Sequence, residues 1–134
     1  MQKIEHLGIA VSDLAKSEAL YEALFNTKVY KREEVKSQNV MTAFLRCGPN
    51  KIELVAGTSE GNVIDKYIAK KGEGLHHVAF AVTDIESEMK RLSDEGFKLL
   101  SETPQEGADN KLVCFLHPKT TGGILIELVQ ENPD

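Results

Sequence analysis

Residues 4–11, IEHLGIAV, alternate apolar with polar or small positions and include β-branched residues, the period of a strand with one buried face. A helix is predicted from Asp13, capped by Ser12, with Leu14, Leu20, Tyr21, Leu24 and Phe25 on one face and Asn26 as a left-handed stop. Three strands are expected next: Lys28–Arg32, Val40–Arg46 and Lys51–Val55. The polar run EEVKSQ separates the first two, and Gly48-Pro49-Asn50 is a turn before the third. A polar stretch, Gly57–Asn62, leads into a short helix at Val63–Lys71 with Val63, Ile64, Tyr67 and Ile68 turned inward; KGEG then ends it.

The order then repeats. Leu75–Val82 reads as a strand, and Thr83 with Glu86 forms a capping-box pattern. Ile85, Met89 and Leu92 stripe the helix that follows, and Gly96 closes it. Phe97–Ser101, Leu112–Leu116 and Ile124–Val129 are the remaining predicted strands, with Pro104–Asn110 and HPKTTGG as connections. The final few residues are expected to be disordered.

The repetition extends to identities. IEHLGIAVSD at Ile4–Asp13 is echoed by LHHVAFAVTD at Leu75–Asp84, so His6 and His77 match at an offset of 71, as do Asp13 and Asp84. KIELV around Glu53 is echoed by LIELV around Glu127 at an offset of 74. The fold expected is α+β: two tandem βαβββ modules forming an eight-stranded curved sheet around a metal-binding cleft. Residues 1–56 form module one, 57–73 a linker with its helix, and 74–134 module two, together a single domain. Modules of about 60 residues bury too little surface to fold separately.

Composition narrows the functional classes. Apolar content of 41% and charged content of 28% are ordinary for a globular chain. The net charge of −5 lacks the basic footprint of nucleic-acid binding. No apolar run approaches the roughly 20 residues of a membrane span, and MQKIEHLGIAV enters a strand pattern with no secretory leader before it. A soluble cytoplasmic protein is expected. Cys47 and Cys114 form no CxxC pair and are expected to be buried free thiols.

The chemistry rests on His6, Glu53, His77 and Glu127. A carboxylate inside an apolar strand is costly to bury unless it is paired or ligates a cation. Two such glutamates in repeated local sequence, each matched by a repeated histidine, suit a borderline divalent cation with coordination positions open to substrate. Strand alternation turns His76 to the face opposite His77. His117 lies in a loop and has no counterpart in the first half. Arg46, Lys111 and Lys119 could supply positive charge near an anionic ligand, although each taken singly reads as a solvated charge. The chain has no GxSxG nucleophile motif and no Gly-rich phosphate loop.

These paired modules with a strand histidine and a strand glutamate resemble the vicinal oxygen chelate superfamily. EHLGIAVSDL, KIELVAG, KGEGLHHVAFAVTDI and FLHPKTTGGILIELVQ are similar to its methylmalonyl-CoA epimerase family, and the resemblance covers nearly the whole chain. It implies a homodimeric metal-dependent epimerase that interconverts (2R)- and (2S)-methylmalonyl-CoA by proton abstraction at C2 through a metal-stabilised enolate. The implied ligands are His6, His77 and Glu127, with Glu53 at a fourth place where a well-known branch carries glutamine. One divalent ion (Co, Mn, Ni, Zn or Fe) is expected per chain. The family's second glutamate falls at Thr42 here, so either Glu53 fills that role or a water on Thr42 or Gln38 relays the proton; Glu127 and Glu53 are the expected catalytic pair. Gln38, Thr42, His117 and Lys119 are candidate contacts to the acyl-CoA substrate. The competing expectations are glyoxalase I, whose bacterial members use the same His, Glu, His, Glu order, an extradiol-type dioxygenase, and a metal-free binding protein of the same fold.

Overall fold

Asp13 and Asp84, one repeat apart, each start a helix. Asp13 accepts a hydrogen bond from Lys16 N at 3.1 Å and opens α1 (Leu14–Phe25). Asp84 accepts from Ser87 N at 3.1 Å and opens α3 (Ile85–Asp94). The caps thus lie one residue beyond the predicted Ser12 and Thr83. A carboxylate here satisfies an orphan N–H and meets the positive end of the helix dipole. Accepting from the Ser87 backbone N–H holds the Asp84 carboxyl below its ordinary range. Asn26 closes α1 in the left-handed conformation, as predicted.

In the computed structural model, residues 1–131 are described; most of the tail expected to be disordered lies outside them. The chain forms two units, one of His6–His76 and one of Met1–Glu5 together with the residues from His77 onward. The first unit contains most of β1 (Lys3–Ala10) with β2 (Lys31–Val35), β3 (Val40–Cys47) and β4 (Asn50–Gly57), in the order β2-β3-β4-β1. Here β1 and β4 are parallel and the other pairs antiparallel. The second contains most of β5 (Gly74–Ala81) with β6 (Gln105–Glu106), β7 (Lys111–Leu116) and β8 (Ile126–Glu131), in the order β5-β8-β7-β6. Again the first strand, β5, runs parallel to its neighbour β8. The architecture is the expected α+β one, with β-α-β-β-β written twice.

Each unit packs its long helix on one face of its strands. Ile9, Val11, Ala43, Leu45, Ile52, Leu54 and Ala56 are buried beneath Leu14, Tyr21 and Phe25 of α1. The stripe of α1 is Leu14, Ser17, Glu18, Tyr21 and Phe25; the predicted members Leu20 and Leu24 are exposed. Glu18 takes an inner place because Arg32 reaches it, with Nε donating to Oε2 at 2.8 Å, which offsets the cost of burying the carboxylate. In the second unit Ile85, Met89 and Leu92 bury against Cys114, Leu116 and Leu128, as the stripe predicts. Cys114 is buried and its thiol is pushed up by that burial, whereas Cys47, expected to be buried, is exposed at the end of β3.

Several boundaries differ from the sequence expectation. The second strand starts at Lys31 and runs to Val35, because Glu33–Val35 pair with Val40–Thr42. Phe97–Ser101 is not a strand: Leu99 makes an isolated bridge to Leu116, and Pro104, which has no N–H for a ladder, precedes the two-residue β6. The linker helix α2 (Val63–Lys71) matches its predicted span, but Val63 is exposed while Ile64 is buried. Asn62 caps α2 by accepting from Asp65 N at 2.9 Å. The cap sits so close to Gly57 that a Cβ there would lie 2.0 Å from the Asn62 side-chain nitrogen, so a larger residue at 57 would displace the capping side chain.

Candidate functional site

Each unit buries one histidine against one glutamate. In the first, His6 Nε2 lies 3.4 Å from Glu53 Oε1; in the second, His77 Nε2 lies 3.2 Å from Glu127 Oε1. All four side chains are 5–9% exposed. The strand register explains the match. Glu53 on β4 stands between Gly8 of β1 and Phe44 of β3. Glu127 on β8 stands between Ala79 of β5 and Phe115 of β7. Residues directly opposite in neighbouring strands share a face, so a small residue leaves room beside each carboxylate and a phenylalanine walls its other side. The histidine two residues before the small residue then projects from the same face. In the second unit the wall is direct: the His77 ring meets the Phe115 ring edge-on with centroids 5.7 Å apart.

Phe44 and Phe115 are neighbours of the two pairs that the sequence reading missed. The signal was present, since Phe44-Leu45 and Phe115-Leu116 recur at the offset of 71 that relates the histidines. Ala79, Val113 and Val129 continue the apolar lining beside Phe115.

The donor geometry suits a cation. Two ligand atoms each about 2.1 Å from one ion and at right angles to each other stand about 3 Å apart. The imidazole nitrogen and carboxylate oxygen in each unit approach that spacing, at 3.4 and 3.2 Å. Imidazole with carboxylate is the donor set of a borderline divalent metal.

The other predicted residues divide by unit. Thr42 is buried on the face of Phe44 and Glu53, and its hydroxyl donates to the Glu33 carbonyl at 2.9 Å. Gln38 is half-buried in a 3-10 turn at Lys36–Gln38, between β2 and β3. His117 precedes another such turn, at Pro118–Thr120, and its Nδ1 accepts from Lys119 N at 3.1 Å. That bond makes His117 a cap, and Lys119 is exposed beside it. His76 leaves the His77 face as predicted, its ring meeting the Tyr67 ring edge-on at 4.8 Å.

With this fold and these pairs in place, the chain belongs to the Glyoxalase/Bleomycin resistance protein/Dioxygenase superfamily, whose family model matches residues 5–115. Ethylmalonyl-CoA/methylmalonyl-CoA epimerase of Cereibacter sphaeroides is 35% identical over 96% of this chain and 97% of its own length. A variant of Streptomyces coelicolor methylmalonyl-CoA epimerase in complex with 2-nitronate-propionyl-CoA superposes with a TM-score of 0.94 at 33% identity, covering 98% of both chains. A probable lactoylglutathione lyase of Synechocystis is more distant, at 27% identity over 95% of this chain and 94% of its own length. Within the superfamily, the chain is therefore a member of the methylmalonyl-CoA epimerase family, a family of racemases and epimerases. Among the described residues, no helix is long and apolar enough to cross a membrane.

Proposed function

We propose that this chain interconverts (2R)- and (2S)-methylmalonyl-CoA in the cytoplasm, as a homodimer, with one divalent cation held by each chain. His6, His77 and Glu127, all buried, form the core of the proposed ligand set, and Glu53 is its fourth member. The observation that carries this reading is the duplicated histidine–glutamate pair, at 3.4 and 3.2 Å, in a chain a third identical to epimerases over its length.

The chemistry follows from the substrate. The C2 proton lies between a thioester and a carboxylate. Its removal leaves the electron pair delocalised onto the thioester oxygen. When bound, the cation supplies Lewis-acid stabilisation of that negative charge. Glu127 takes the proton from one face and Glu53 returns one to the other, so that the two glutamates exchange roles in the reverse direction. The burial of both carboxylates beside phenylalanine walls excludes bulk water that would quench the charge indiscriminately. Gln38, Thr42, His117 and Lys119 are proposed to line the substrate's path, His117 and Lys119 through the turn they share.

The second reading is lactoylglutathione lyase, supported by the His, Glu, His, Glu order it shares and by the 27% identical Synechocystis relative. Incubating the metal-loaded protein with methylmalonyl-CoA in heavy water separates the two. Deuterium at C2, with no lactoyl thioester formed from methylglyoxal and glutathione, is the expected result. Thioester formation without C2 exchange overturns the epimerase reading.

A further inference from the structure

We propose that Tyr30, Arg46 and Lys51 form a subsite for the nucleotide end of coenzyme A, with the two cations on its phosphates and the aromatic–guanidinium stack against its adenine. This inference rests on the acyl-CoA reading above and extends it to residues that reading leaves without a role.

The strand register places Lys51 and Arg46 on the face that carries the first histidine–glutamate pair, and Tyr30, which precedes β2, joins them through its ring contacts with Phe44 and Arg46. Lys51 stands opposite His6 across β1 and β4, and opposite Arg46 across β4 and β3. The row His6–Lys51–Arg46 thus runs across three strands, one pleat repeat of about 7 Å from the row that holds Glu53 and Phe44. Arg46 is two strand spacings from His6, about 10 Å. Beyond it lies Tyr30, whose ring packs against Phe44 with centroids 6.2 Å apart. The Arg46 guanidinium carbon sits 4.3 Å from the centre of the Tyr30 ring. One continuous surface therefore leads from the proposed acyl-binding pair to a cation laid over an aromatic ring.

The chemistry of that far end matches a phosphorylated adenosine. Arg46 is exposed, and among the described residues it forms no ion pair, so its charge is not cancelled by a carboxylate. Tyr30 is 40% exposed. A guanidinium held on a ring is pre-organised, presents a fork of donors to phosphate and offers a flat face to a base. Aromatic rings accept adenine by stacking. In a chain with net charge −5, a bound polyanion requires a local concentration of cations such as Arg46 and Lys51.

The test compares methylmalonyl-CoA with methylmalonyl-pantetheine, which lacks the nucleotide, in the metal-loaded full chain. Arg46→Met and Lys51→Met should each raise KM for the CoA ester about tenfold with kcat unchanged, since a charged phosphate contact made equally in ground and transition states is lost. Both variants should leave the pantetheine ester's kinetics as in the wild type, and Arg46→Lys should restore part of the loss. Equal effects on the two esters, or no effect on either, overturn the subsite while epimerisation stands. Calorimetric titration with adenosine 3′,5′-bisphosphate separates the other failure. Binding that weakens about tenfold in Arg46→Met, in a protein that does not exchange C2 of methylmalonyl-CoA, supports the subsite and removes the epimerase reading. No binding of the bisphosphate by wild type overturns the subsite directly. Unchanged thermal midpoints establish that the variants fold.

Discussion

Thr42 Oγ1 donates to the backbone carbonyl of Glu33, its cross-strand partner, at 2.9 Å. The hydroxyl is thus engaged in fastening β2 to β3 at the position where the family's second glutamate would stand. Thr42→Val keeps the shape and removes that bond. Exchange at C2 should stay within about threefold of wild type, while the thermal midpoint falls by about 4 °C for roughly 1 kcal/mol of lost hydrogen bonding. A hundredfold loss of exchange with an unchanged midpoint would make the hydroxyl a proton carrier.

Glu127→Gln and Glu53→Gln test the proposed pair of proton-transfer groups. Each should lower deuterium incorporation at C2 by about a hundredfold or more, the scale of general acid–base catalysis. Elemental analysis of the purified variants accompanies the assay, because both residues are also proposed ligands. Should Glu53→Gln epimerise at the wild-type rate with its cation retained, the second base lies elsewhere.

Chelation followed by dialysis should abolish exchange, and added cobalt or manganese should restore it. The apo protein should keep its far-ultraviolet dichroism, since the cores beneath α1 and α3 are built from aliphatic and aromatic side chains. Its thermal midpoint should rise again with added cation, because an ion that binds the folded state stabilises it by mass action. Exchange that survives chelation would exclude the role proposed for His6 and His77.

The two thiols should separate kinetically. Cys47 is exposed and should react with a disulfide reagent within seconds to minutes in the native protein. Cys114 is buried with its thiol pushed up, so its thiolate is scarce, and it should react on unfolding. Two fast equivalents in native buffer would contradict the burial.

Glu88 provides a pH-dependent contribution to stability. Its carboxylate accepts from Arg91 and pairs with the terminal ammonium at 3.0 Å, and these partners, Arg91 first, hold its pKa below the ordinary carboxylate value. A group with a lowered folded-state pKa stabilises above its unfolded pKa and loses that contribution as pH falls through the folded value. Glu88→Gln should therefore be less stable to urea than wild type at pH 7. The gap should close as pH falls below the normal carboxylate range. A gap that persists unchanged at pH 2 would trace it to packing.

Much of this arrangement was legible in the chain. The matched histidines and glutamates marked both buried pairs, because a carboxylate set among Ile, Leu and Val must find a partner or a cation to be buried at all. The stripe of α3 was legible because Ile85, Met89 and Leu92 are apolar residues at helical spacing. The stripe of α1 was not, because a salt-bridged Glu18 occupies an inner place and leaves Leu20 and Leu24 outside; periodicity counts apolar residues and is blind to an ion pair formed with Arg32 on another element. The helix caps were misplaced by one residue because Ser12-Asp13 and Thr83-Asp84 offer two good cap residues in succession. Phe97–Ser101 looked like a strand on composition, but ladder formation depends on the partner, and β7 meets it at one bridge.

The start of the chain has a structural effect beyond its own strand. Residues Met1–Glu5 belong with the half that begins at His77, and Gln2 N donates to Ala81 O at 2.8 Å. Severing the polypeptide in the linker would accordingly free two fragments, one carrying a stretch the other needs and neither a complete unit. The duplicated plan is written in tandem, yet no single cut recovers its two copies.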